Sequence, residues 1–243
     1  MAPKLKAVLF DIDDTLFSTT EFSSGARRDA VEAMRRHGLR VPADELLREL
    51  NEAIAEFGSN FEHHFEKLLL RLPRERVKGV NWSLAIAAAI VAYHDAKFTR
   101  LKPFDDVLPA LERLSRSDLL LGVVTDGLEM KQAEKLIRLR VASYFPPRAI
   151  FISDRIGISK PNPKLFQKAC EALEVPPGQA LYVGDHPVKD IDGSNGAGLI
   201  SVLVNRQGRH AGVTGATKPA HTVQDFGGLL KLIERDFKVS LPS

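Results

Sequence analysis

Apolar residues in this chain follow two rhythms, and where one gives way to the other the architecture can be read. Five short runs, at residues 7–10, 119–124, 149–152, 180–183 and 199–204, are apolar throughout but for Ser201 and show no polar face. Such runs mark strands covered on both faces, as in a parallel sheet. Residues 130–141, 163–173 and 188–197 carry helical spacing and fall between the later runs. The expected core is therefore α/β, a right-handed doubly wound parallel sheet.

The first connection breaks this alternation. About a hundred residues separate the first run from the second, where one crossover helix would suffice. Their pattern is helical throughout, with Leu46, Leu50, Ala53, Ile54 and Phe57 on one stripe and Phe61, Phe65, Leu68, Leu69 and Leu72 on another. Gly38 and Pro42, Gly58, and Pro73 punctuate the segment, and Asn81 suits the start of a further helix. We expect an inserted helical bundle at residues 17–100, with the core formed by 1–16 and 101–243 and resuming near Leu101 before a helix at about 106–114. Phe57, Phe61, Phe65 and Trp82, at helical spacing, are expected mostly in the bundle core.

Composition narrows the setting. The chain has 243 residues and one cysteine, Cys170, so no disulfide framework exists within it and a reducing, cytoplasmic setting is expected. The first residues lack the basic, apolar and small-residue order of a secretion signal. The most apolar helical stretch, at 84–93, is about half the roughly 20 residues that span a bilayer, so no membrane association is expected. A net charge of +3 is spread as alternating Lys, Arg, Asp and Glu, which argues against a nucleic-acid partner.

The candidate chemistry sits where the strand runs end. Asp11-Ile12-Asp13-Asp14-Thr15 follows the first run, and ligands bind at the carboxyl ends of strands in open α/β sheets. Residues two apart in extended backbone share a side, so Asp11 and Asp13 converge while Ile12 faces the core and Asp14 is left as a bystander. Thr125-Asp126-Gly127 follows the second run, Lys160 lies in Ser-Lys-Pro-Asn-Pro after the third, and Gly184-Asp185 follows the fourth, with Asp190 five residues on. Any one of these could be a helix cap, but four in sheet order make that reading poor.

Together these motifs resemble the signature of the haloacid dehalogenase superfamily, and the helical insertion between the first two resembles the cap of its first subclass. The resemblance spans the whole chain and implies a Rossmann-like core with a cap. It implies Asp11 as a nucleophile that takes up phosphate, Asp13 as general acid and base with Thr15 orienting it, and Lys160 as a counter-charge. It places Thr125, Asp126, Gly127 and Lys160 on the substrate phosphate, and Mg²⁺ on Asp11, Asp185 and the main-chain carbonyl of Asp13. Asp190 reads either as an acid outside the metal's own ligands or as a helix-start carboxylate. The aromatic segment 17–22 resembles a mobile flap that touches substrate.

The expected activity is Mg²⁺-dependent hydrolysis of a small phosphorylated metabolite, by a monomer or homodimer, through an aspartyl-phosphate. A phosphotransferase or phosphomutase uses the same intermediate. A 2-haloacid dehalogenase fits less well, because that group, by resemblance, lacks the acid found here at Asp13. A receiver-like signalling module also combines Asp, Thr and Lys on such a sheet, but there the phosphorylated Asp ends a later strand and no insertion interrupts the first connection. Gly193-Ser-Asn-Gly196-Ala-Gly198 ends a helix before a strand and reads as a C-cap, not a nucleotide loop. His63 and His64 are adjacent on a helix and read as solvent and packing residues, and His186 as a loop histidine.

Overall fold

The computed structural model describes residues 4–242 except 207, 209 and 211. Six parallel strands form one sheet: β1 (Ala7–Phe10), β2 (Leu120–Thr125), β3 (Ile150–Ile152), β4 (Ala180–Gly184), β5 (Ile200–Val204) and β6 (His221–Val223). Their order is β3-β2-β1-β4-β5-β6, which places β1 between β2 and β4 and brings the ends of all three side by side. The helices, in chain order, are α1 (Thr19–Arg36), α2 (Ala43–Phe57), α3 (His64–Arg71), α4 (Arg74–Val77), α5 (Trp82–Thr99), α6 (Val107–Ser115), α7 (Glu129–Arg138), α8 (Ser153–Ile156), α9 (Pro163–Ala172), α10 (Gly193–Gly196) and α11 (Phe226–Phe237).

The chain divides into two compact units, one built from residues up to Thr19 and from Lys102 onward, the other from Thr20–Leu101. In the sheet unit, alternate residues of β1 serve opposite faces. Ala7 and Leu9 pack with Leu165, Phe166, Ala169 and Cys170 of α9, while Phe10 stacks on Phe226 of α11 at 5.6 Å. Burying both faces is what makes these strands read as nearly unbroken apolar runs. The expected runs are found with ends shifted by at most one residue, because apolar flanks do not reveal where pairing starts.

Three features depart from the expected pattern. β6 and α11 follow residues to which the pattern assigns no element; β6 is three residues long and only Val223 of it is buried, too little for a period to show. The expected helix at 188–197 is a π-helical turn at Pro187–Asp192 running into the short α10. Gly198, at φ +82°, then ends it as a left-handed cap.

The second unit is a helical bundle whose core joins Ala30, Val31 and Met34 of α1, Leu46 and Leu50 of α2, Leu68 and Leu69 of α3, and Ala89 of α5. The Asn81 side chain accepts from Leu84 N–H and caps α5. Two expected core aromatics lie elsewhere: Phe57 is 44% exposed, and Phe61 precedes α3 and stacks on Phe57 at 4.9 Å. Phe65 and Trp82 pack partly buried against the core. His63 bonds Glu66 and His64 bonds the Gly58 carbonyl, so each has a local partner. Among the described residues no helix is long and apolar enough to cross a membrane.

Candidate active site

β1 delivers Asp11 to the middle of the sheet's carboxyl edge, where the Asp11 N–H still continues the ladder by donating to the Val183 carbonyl. The Asp11 side chain is buried and Ile12 is fully buried in the core. Lys160 arrives opposite it on the segment between α8 and α9. Its Nζ donates to Asp11 Oδ1 at 2.7 Å, to Asp190 Oδ1 at 2.7 Å and to the Tyr182 hydroxyl at 3.1 Å. Tyr182, fully buried on β4, donates in turn to the Val124 carbonyl at 2.8 Å. These contacts tie the ends of β1, β2 and β4 to one ammonium.

The Lys160 segment is held in place by Asp126. One oxygen of that carboxylate accepts from the Lys160 N–H at 2.9 Å and from Ser159 Oγ at 3.1 Å. The Gly127 N–H donates to Ser153 Oγ at 3.0 Å. Of the residues assigned to substrate phosphate, Asp126 thus uses its side chain to brace the lysine loop, and the Gly127 amide is engaged by Ser153. Thr125 differs, since its buried Oγ1 finds no partner among the described residues, and the same holds for Thr15 Oγ1. An unpaired buried hydroxyl costs stability unless something else engages it.

Carboxylates crowd the site. Oxygens of Asp11, Asp185 and Asp190 lie within 4.8 Å of one another. Both Asp190 oxygens are bonded by the protein, Oδ1 by the Lys160 ammonium and Oδ2 by the His186 N–H at 2.9 Å. Gly184 makes room for this, because a Cβ there would collide with the Asp190 carboxyl group. Burial, then the charges of Asp190 and Asp11, push Asp185 up to about 8. Burial also pushes Asp11 up to about 7, against the pull of Lys160. Burial alone would lower Lys160, but Asp11 and Asp190 more than reverse it and hold the ammonium well above its ordinary value. One lysine thus faces an excess of negative charge, and the donors are all oxygen, the chemistry of a hard cation site.

Asp13 is engaged apart from that cluster. Lys135 Nζ donates to its two oxygens at 2.6 and 2.7 Å, Gln132 Nε2 to Oδ2 at 3.2 Å, and Thr19 Oγ1 to Oδ1 at 3.1 Å. Asp14, expected as a bystander, adopts φ +56° and groups with Asp185 and His210 within the same 4.8 Å. Its Oδ1 accepts from the Thr19 N–H at 2.9 Å. His186 caps the π-helical turn, its Nδ1 accepting from the N–H groups of Val188 and Lys189; burial and then His210 lower its pKa. Phe17, expected in a substrate-touching flap, is buried under the Lys135 ammonium, and Phe22 lies edge-on to Tyr93 in the bundle unit.

Gln132, Lys135 and Tyr182 escaped the sequence reading, although each left a trace. Tyr182 puts a hydroxyl inside a wholly buried strand, where it must find a partner. Gln132 and Lys135 are three apart, on one face of the helix that follows the Thr125 turn.

The profile described as haloacid dehalogenase-like hydrolase matches residues 8–204, from β1 through β5. The chain belongs to that family. Among curated members of the family, it is 46% identical over 204 residues to a glyceraldehyde 3-phosphate phosphatase of Methanopyrus kandleri, covering 83% of this chain and 84% of the relative. It is 37% identical to the protein of the same name from Pyrococcus furiosus, covering 96% and 95%. Among solved members, a haloacid dehalogenase-type phosphatase of Thermococcus onnurineus superposes with TM-score 0.66 at 25% identity, covering 94% and 98%. A 2-haloacid dehalogenase of Pseudomonas syringae superposes with TM-score 0.62 at 27% identity, covering 95% and 99%.

Proposed function

We propose that this protein is a phosphatase of small phosphorylated metabolites, with a three-carbon sugar phosphate such as glyceraldehyde 3-phosphate as the first substrate to test. The observation that carries the reading is the buried Asp11 held by Lys160 at the end of the central strand, beside Thr125, whose buried hydroxyl lacks a partner among the described residues. The names of the relatives at 46% and 37% identity supply the substrate class.

In this reading the Asp11 carboxylate attacks phosphorus and Asp13 protonates the departing oxygen. Asp13 then takes a proton from the water that cleaves the aspartyl-phosphate, returning Asp11 as carboxylate. Thr125 Oγ1 donates to a phosphate oxygen, and Lys160 balances charge on Asp11 and the arriving phosphate. Asp11, Asp185 and the Asp13 main-chain carbonyl would hold Mg²⁺, with Asp190 fixing Lys160 outside those ligands. The bound ion would offset the repulsion between a carboxylate and a phosphate dianion. The all-oxygen donors and the surplus of buried carboxylates support this choice of ion.

The insert is read as a cap that sets substrate choice, since the groups above serve phosphate and any phosphomonoester offers that alike. It leaves the chain directly after the Asp11 loop. The cytoplasm is the proposed setting, which suits the buried Cys170 thiol, pushed by burial up to about 11. The test is release of inorganic phosphate, with Mg²⁺, from a panel of triose phosphates, hexose phosphates, phosphoglycolate and nucleotides. Glyceraldehyde 3-phosphate should rank near the top by kcat/KM and Asp11→Asn should release none; a wild-type protein inert on the whole panel would refute the proposal.

A further inference from the structure

We propose that Gln132 and Lys135 are positioning residues for Asp13, and that residue 127 is glycine so that Gln132 can reach across the Thr125 turn. The inference rests on the reading of Asp13 as acid and base. Helix α7 begins just after that turn and presents both residues on one face. Lys135 grips both Asp13 oxygens, at 2.6 and 2.7 Å, and Gln132 adds a bond to Oδ2 at 3.2 Å. The same Gln132 nitrogen donates to the Asp126 carbonyl at 2.7 Å, so one buried amide ties the Asp11–Asp13 loop to the Thr125 loop. Both neighbours are acceptors, which fixes the amide orientation and makes glutamate a poor substitute.

Gly127 gives independent support. A Cβ at that position would lie 2.6 Å from Gln132 Nε2, and the backbone has φ +132°. A side chain there would drive Gln132 off Asp13 besides straining the turn. An ordinary surface ion pair does not account for the arrangement: the Lys135 and Asp13 side chains are 23% and 30% exposed, and the contact is two-pronged and backed by a 3% exposed glutamine.

The reaction gives this grip a purpose. In the first half, Asp13 gives its proton to the leaving oxygen as the P–O bond to the alcohol breaks and the Asp11–phosphorus bond forms. In the second, Asp13 takes a proton from the attacking water as the Asp11–phosphorus bond breaks and its electron pair returns to Asp11. One carboxylate must return to one place for both transfers, and small misplacements of a reacting group are costly.

Single-turnover rates on an alkyl phosphate and on p-nitrophenyl phosphate test this, because the nitrophenolate leaves without needing a proton. Lys135→Met and Gln132→Glu should slow release of the alkyl alcohol by roughly 10–100-fold, slow nitrophenolate release much less, and leave KM within about threefold. Lys135→Arg, which keeps a two-pronged donor, should regain most of the lost rate. Equal losses on both esters in Lys135→Met or Gln132→Glu, or no regain in Lys135→Arg, would overturn the inference. If Lys135→Met does not fold, Gln132→Glu and Lys135→Arg decide it. Wild-type protein inert on both esters would instead defeat the phosphatase reading itself.

Discussion

Asp185→Asn should stabilise the metal-free protein at alkaline pH and, on the proposed metal assignment, remove its response to Mg²⁺. Asp185 is pushed up to about 8 by burial and by Asp190, Asp11 and Asp14, and Asp11 up to about 7. In the unfolded chain both should titrate near 4. Their folded-state values are raised, so their contribution to stability is whole below about pH 4 and is lost as pH rises toward 7 and 8. Each retained proton gives a slope of about 1.4 kcal/mol per pH unit, so metal-free stability should fall steeply from pH 5 to 7, and Asp185 alone accounts for on the order of 5 kcal/mol by pH 8. Asparagine cannot ionise; the variant should show about half the slope and a gain of several kcal/mol at pH 8. Mg²⁺ at a hundred times its Kd should return about 2.7 kcal/mol to the wild type and almost nothing to the variant. Urea unfolding in EDTA at four pH values between 5.5 and 8.5, repeated in Mg²⁺, measures all of this. Identical slopes for the two proteins in EDTA would show that Asp185 carries no uncompensated charge, and the argument for a cation there would fail.

Three further outcomes follow from the same geometry. Lys160→Met leaves Asp11 and Asp190 buried without their shared ammonium and should cost about 3–5 kcal/mol in urea unfolding at pH 7, besides ending turnover; an unchanged midpoint would count against the buried triad. Chelation should abolish phosphate release, Mg²⁺ should restore it and Ca²⁺ restore it poorly, because the larger ion favours looser, higher coordination; activity that survives exhaustive chelation would remove the metal from the scheme. Replacing residues 23–98 by a short linker should flatten the ranking of substrates by kcat/KM while some hydrolysis of p-nitrophenyl phosphate persists, and a folded variant that keeps the wild-type ranking would deprive the insert of any role in specificity.

The sheet, and the meeting of the candidate residues at its carboxyl end, were legible in the sequence because their signals are local. Strands buried on both faces are apolar at nearly every position, Tyr182 and Ser201 being the exceptions here, and a polar residue just beyond such a run sits at the sheet's carboxyl end, which is how Asp11, Thr125 and Asp185 could be placed without coordinates. Asp11, Lys160 and Asp190 are up to 179 residues apart in the chain, yet strand order alone brings their motifs to one edge. The sequence could not say which atoms meet there. That Asp126 braces the lysine loop, that Gly127 is shaped around Gln132, and that Lys135 grips Asp13 depend on side-chain directions fixed by the packing of α7 and of the Lys160 segment against neighbouring loops. The departures have the same origin. Phe57 and Phe61 have helical spacing and yet stand at a helix end and in a loop, because periodicity marks a face but not where the helix stops. β6 is too short to carry a period and forms only because β5 offers it an edge to pair with. Pattern determines what must be buried; only the folded chain decides what each buried polar group touches, because those partners come from segments far apart in sequence.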